Sequence, residues 1–131
     1  MKQNRVEAVL KNMESLNLSQ ILITDPLAIF YLTGRMIKPF ERFYALYLNQ
    51  NGNHKIFINQ LETVPEDLGV EKVRFTDSDS YMDLVIKTTD HTEPLGIDKN
   101  MPARFLLPLI DQKAASGFVN ASLALDQARA V

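Results

Sequence analysis

Residues 21–42 read ILITDPLAIFYLTGRMIKPFER, and they hold a strand, a helix, a stop and a charged loop in that order. Ile21, Leu22 and Ile23 are aliphatic without polar alternation, the pattern of a strand covered on both faces. Asp25 can accept from the free N–H groups of a helix start, and Pro26, which has no N–H to lose, suits the first helical position. Leu27, Phe30, Tyr31 and Leu32 give that helix an apolar face, and Gly34 can take the left-handed conformation that ends it. Two turns of helix do not stand alone in water, so packing must hold them.

Working outward, Val6, Val9, Leu10, Met13 and Leu16 recur at helical spacing and predict a first helix lying on a sheet. Phe43–Asn49 and Lys55–Asn59 are strand-like runs separated by Gln50, Asn51, Gly52 and Asn53, which predicts an antiparallel hairpin with an Asn-Gly turn. A strand over 72–75 follows, then a helix through Tyr81, Met82, Val85 and Ile86, capped by the polar cluster Asp77, Ser78, Asp79 and Ser80. Leu95, Gly96 and Ile97 read as a short buried strand. Residues 102–112 have helical spacing, but Pro108 lies inside them, and a proline there costs roughly 3 kcal/mol unless the helix kinks or splits. A break is expected there. Phe118 and Val119 suggest a last strand, and Ser122 to Val131 a last helix. The alternation predicts one three-layer α/β/α domain whose mixed sheet has about five or six strands, including one antiparallel hairpin.

Composition narrows the function classes. The 131 residues are 46% hydrophobic, enough for a single core, and the net charge of −2 from 14 basic and 16 acidic residues gives no electrostatic reason to expect nucleic acid or an anionic membrane. With no cysteine there is no disulfide, thiolate metal site or thiol nucleophile. The opening MKQNRVEAVL lacks the apolar core of a signal peptide, and the expected location is cytoplasmic.

Few residues carry chemistry. His54 lies by the hairpin turn and His91 in the polar loop before Pro94, and neither has a second ligand-type residue one helical turn away. Asp90, His91 and Glu93 are close in sequence, as in any solvated loop. The five glycines are isolated, so no phosphate-cradling loop exists. Asp25 and Asp98 each follow an apolar run and could converge at strand ends as a metal-holding pair; the plainer reading makes Asp25 a helix cap and Asp98 the opening of a turn. The loop Arg35, Met36, Ile37, Lys38, Pro39, Phe40, Glu41, Arg42 places three basic residues among apolar groups just past a rigid helix, and Arg42 could clasp a carboxylate. Alternatively Glu41 neutralises its neighbours and the loop is simply solvated.

Taken together, the first amphipathic helix, ILITDPLAIFYLTGR, ERFYALYLNQNGNHKIFIN, LGIDKN before a helix, and LALDQARAV resemble the N-terminal domain of the creatinase, prolidase and aminopeptidase P family, most of all bacterial Xaa-Pro dipeptidases. The most specific elements are Asp25-Pro26, the Tyr31 to Gly34 run, and Glu41-Arg42 entering the next strand. The resemblance implies a ribonuclease H-like fold over residues 1–131 and a separate C-terminal metallopeptidase domain absent from this sequence. Two divalent ions, manganese, cobalt or zinc, would sit in that missing domain, and no metal or catalytic residue is expected in this one. The implied role is non-catalytic: building a homodimer and shaping access of short proline peptides to the partner subunit's active site. Arg35, Lys38, Phe40, Glu41 and Arg42 are the implied gating or interface residues, with Phe40 where some relatives carry histidine. Arg129-Ala130-Val131 is where family members continue, so the sequence reads as the first part of a longer enzyme. Two other readings remain: a stand-alone binding or scaffold module, and a metal-dependent nuclease using Asp25 and Asp98.

Overall fold

The computed structural model describes residues 1–63 and 68–130. The last position of the expected final helix, Val131, lies outside them.

Eleven elements follow in order among the described residues. They are α1 (Gln3–Ser15), β1 (Gln20–Ile23), α2 (Pro26–Thr33), β2 (Ala45–Asn49), β3 (Lys55–Asn59), β4 (Glu71–Phe75), α3 (Tyr81–Thr88), β5 (Pro94–Ile97), α4 (Ala103–Asp111), β6 (Gly117–Asn120) and α5 (Ser122–Arg129). The strands form one six-stranded sheet in the order β4-β3-β2-β1-β5-β6. Two of its pairings are antiparallel, β1 with β2 and β2 with β3; the remaining three are parallel. The mixed sheet and its antiparallel hairpin are as expected from the sequence.

Alternation along β1 divides the core. Ile21 and Ile23 pack with Val9, Met13, Ile29, Leu32 and Leu125 of α1, α2 and α5. Leu22 points the other way, into a layer with Met82, Val85, Phe105 and Leu109 of α3 and α4. Ile21, Leu22 and Ile23 are all fully buried, which is why the run shows no polar alternation. Close approach explains one glycine: a Cβ on Gly96 would lie 2.7 Å from the Cβ of Ala121 and 3.1 Å from Leu18 Cδ1. At the hairpin, Gly52 takes φ 87°, while Asn49 Oδ1 accepts from Asn51 N at 3.0 Å and Asn51 Oδ1 from Asn53 N at 2.8 Å. These side chains close the turn with bonds the backbone alone cannot make.

Two local expectations are corrected. Pro108 does not break α4, which runs unbroken over Ala103–Asp111. The carbonyl that proline deprives of a helical donor is that of Arg104, on the helix's exposed side, where water can serve it. The cluster before α3 does not cap it either: Ser80 is the N-cap residue but makes no side-chain cap bond. Asp79 Oδ2 instead accepts from Thr76 N at 2.7 Å and Ser78 Oγ meets Thr76 Oγ1 at 2.9 Å, so the cluster closes its own turn.

Candidate functional site

The loop over 35–42 departs from α2, whose ends are built as the sequence implies. Asp25 Oδ1 accepts from Leu27 N at 3.2 Å, and Gly34 at φ 80° donates its N–H to Phe30 O at 2.7 Å. Thr33 Oγ1 then accepts from Arg35 N at 3.2 Å, bonding the first loop residue to the helix. Ile37 is buried as a mid-loop anchor. At the far side Phe43 is buried in an aromatic cluster, stacked on Tyr81 at 4.7 Å and edge-on to Phe105 at 4.9 Å; such pairs contribute about 0.5–1.5 kcal/mol beyond area burial. Between these pins Phe40 stands 88% exposed at φ 57°, a conformation that bulky side chains rarely hold.

The charged residues of the loop are placed differently from one another. Arg35 and Lys38 are exposed and make no ion pair among the described residues. Arg42 sits 3.6 Å from Asp77 Oδ1 through Nε and 3.9 Å from Glu62 Oε1 through Nη1, long contacts between half-exposed groups that hold it weakly. The Glu41 carboxylate forms no ion pair among the described residues, so it does not neutralise its basic neighbours by direct contact; its carbonyl accepts from Arg104 Nη2 at 3.3 Å. Arg104, on α4 and some sixty residues away, is a neighbour no short-range signal revealed.

Arg42 forms wall between two hollows. One, of about 120 Å³, is bordered by Thr24, Asp25, Phe40, Asn100 and Arg104. It opens beyond the carboxyl ends of the parallel strands β1 and β5, where the chain leaves for opposite faces of the sheet, the place where open α/β sheets take ligands. The other, of about 210 Å³, is bordered by Glu41, Asp77, Asp79 and Tyr81. Tyr44 also lines the first hollow; its hydroxyl is buried without a partner among the described residues, and burial, aided by the charge of Glu62, pushes its pKa up.

The alternative metal residues each make hydrogen bonds within the domain. Asp98 is buried, and its Oδ1 accepts from Thr24 N at 2.7 Å and Thr24 Oγ1 at 3.0 Å while Oδ2 has no partner among the described residues. Burial pushes this carboxyl up, against the two Thr24 bonds that lower it. Asp25 caps α2 and receives Asn100 Nδ2 at 3.4 Å. His54 Nδ1 accepts from Asn49 N at 3.2 Å, and burial lowers its pKa. His91 Nε2 lies 2.8 Å from Ile86 O. Among the described residues no group of three or more His, Asp or Glu is placed to hold a metal ion. A dinuclear centre therefore does not fit the donor set of the described residues.

The Creatinase/Prolidase N-terminal domain family matches residues 5–131. The chain belongs to that family. Dipeptidase PepE from Mycobacterium ulcerans has the same fold, with a TM-score of 0.80 and 29% identity over 96% of this chain and 36% of that one. The Creatinase/Prolidase N-terminal domain of an X-Pro dipeptidase from Streptococcus pyogenes gives a TM-score of 0.80 at 17% identity, covering 97% of this chain and 99% of that one. An uncharacterised peptidase of Staphylococcus saprophyticus is 37% identical over 70 residues, which are 53% of this chain and 18% of that protein. The chain thus spans well under half the length of the longer relatives it matches. No helix among the described residues is long and apolar enough to cross a membrane.

Proposed function

We propose that this domain is the non-catalytic N-terminal part of an Xaa-Pro dipeptidase, in which it joins two subunits and narrows the entrance to the partner's active site. The single observation that carries this reading is the loop over 35–42: pinned at Gly34, Ile37 and Phe43, it exposes Phe40, Arg35 and Lys38 rather than folding them onto its own domain. A loop fixed at both ends can present side chains to a neighbouring surface at little entropic cost. Arg42 is the residue for substrate. Its loose contacts with Asp77 and Glu62 can be exchanged for a peptide carboxylate at small expense, since exposed ion pairs contribute at most about 1 kcal/mol. The two divalent ions of such a reaction would activate water in the separate peptidase domain, and residues of this domain take no part in holding them.

The test is kinetic. In a polypeptide that joins this domain to its peptidase domain, Arg42→Ala is expected to lower kcat/KM for Xaa-Pro dipeptides on the order of tenfold, as loss of a charge-assisted hydrogen bond does, with metal content unchanged. Unaltered kinetics overturn the assignment of Arg42, and cleavage of proline dipeptides by the 131-residue chain supplied with manganese overturns the non-catalytic role.

A further inference from the structure

The end of α2, where the loop begins, is held from outside by three contacts. Lys2 N donates to Leu32 O at 2.7 Å. Arg5 Nη1 donates to Tyr31 O at 2.8 Å, and its guanidinium lies 4.5 Å over the Tyr31 ring. Tyr31 Oη donates to Ala128 O at 2.9 Å across 97 residues of sequence. The first two satisfy carbonyls left free at a helix end, and the Arg5 guanidinium places a cation where the helix dipole favours it. The third does the same for the last turn of α5, and it is the one hydrogen bond between α2 and α5 among the described residues. It lies beside an open groove of about 330 Å³ bordered by Arg5, Asn12, Tyr31 and Ala128, at the rim of the core layer that α2 and α5 share.

We propose that Tyr31 is a positioning residue that couples the loop over 35–42 to α5, so that the placement of the last helix sets the placement of the loop. A two-turn helix has little rigidity of its own. Its carboxyl end goes where its pins hold it, and one pin belongs to α5. Relatives such as the Mycobacterium ulcerans dipeptidase are roughly three times longer; a displacement of α5 imposed by any neighbouring part of such a protein is passed through the phenol to Gly34 and onward. The inference rests on the loop being the working part, as proposed above, but its test involves no peptidase and fails independently of that reading.

Amide hydrogen exchange on the 131-residue chain is the experiment. Tyr31→Phe keeps the ring beneath Arg5 and removes only the bond to Ala128. Exchange over 34–43, which includes the bonded amides of Arg35 and Arg42, is expected to quicken about fivefold, the ratio that loss of one ordinary hydrogen bond allows. Residues 126–130 should quicken with them, while the hairpin turn over 50–54 is unchanged. Arg5→Met, which leaves the phenol's bond to α5 in place, should loosen 34–43 without loosening 126–130. Faster exchange at 126–130 alone in Tyr31→Phe overturns the coupling, because the hydroxyl then merely caps α5. Uniform acceleration across the chain overturns it as well, since the side chain would then be a general stabiliser.

Discussion

The loops over 35–42 and 89–94 are both short and both carry charged residues, and they lie at opposite ends of the parallel strands β1 and β5. The second is held by a buried amide. Gln20, fully buried at the start of β1, donates to Asp90 O at 2.8 Å and Glu93 O at 3.2 Å, and accepts from Asp90 N at 2.9 Å and Tyr47 Oη at 2.6 Å. Thr89 Oγ1 adds a bond to Ala114 O at 2.7 Å, and Asp90 Oδ1 accepts from Thr92 N and Oγ1. Polar groups there are used up in holding the loop. In the first loop apolar pins do the holding, and the charged tips of Arg35 and Lys38 are left over. Polarity in sequence therefore says little about function until one knows what anchors the loop: an internally satisfied loop is scaffold, and one pinned by Ile37 and Phe43 has groups to spare.

The largest effect that would break this contrast is at Gln20. Gln20→Ala removes the donor to two carbonyls and the acceptor of the Asp90 N–H and the buried Tyr47 hydroxyl, and is expected to cost about 3 kcal/mol in urea unfolding; a cost under about 1 kcal/mol would mean the 89–94 loop needs no buried anchor. A smaller effect is expected at the carboxyl end of the strands. Burial raises the Asp98 carboxyl above its ordinary value, so the folded state binds its proton more tightly than the unfolded chain. The stability this provides is complete below the ordinary aspartate range and is lost as pH rises through the raised value. Asp98→Asn keeps an acceptor for Thr24 and cannot ionise; its urea midpoint should match or exceed that of the parent at neutral pH and show no such loss with rising pH. A parallel pH dependence in both proteins would remove Asp98 as its source. Smallest is Phe40→Gly. Relief of a left-handed phenylalanine, worth roughly 1 kcal/mol, is offset by the freer unfolded chain, so thermal unfolding should shift by less than about 0.5 kcal/mol. A clear loss would show that the exposed ring supports its own domain.

Much of this was legible in the residues. The Asp25-Pro26 start and Gly34 stop, the two-faced β1 and the Asn-Gly hairpin rest on local chemistry, and local chemistry is what a sequence displays. Pro108 was misread because the cost of a helical proline depends on where the orphaned carbonyl points, and that is a property of packing. The Asp77–Ser80 cluster was misread because capping and turn closure call for the same side chains. At the site, the pinned loop could be located, but not the attachment of Arg42 to Asp77 and Glu62 or the approach of Arg104, since those join segments from different strands and helices. Gln20 carried no warning at all: one amide before an aliphatic run looks like a boundary residue until the fold closes over it.

The position of β1 has a consequence for synthesis. Its parallel neighbour β5 begins with Pro94, and α1 leans on α5, with Asn12 Nδ2 donating to Ala124 O at 3.0 Å across 112 residues. As the domain is synthesised, α2 and β2 cover α1 and β1 only in part, and the sides that meet α5 and β5 stay open until nearly the whole domain has been made. Shelter for the first half of the domain is thus completed by its second half, and the domain closes as one cooperative unit rather than piece by piece.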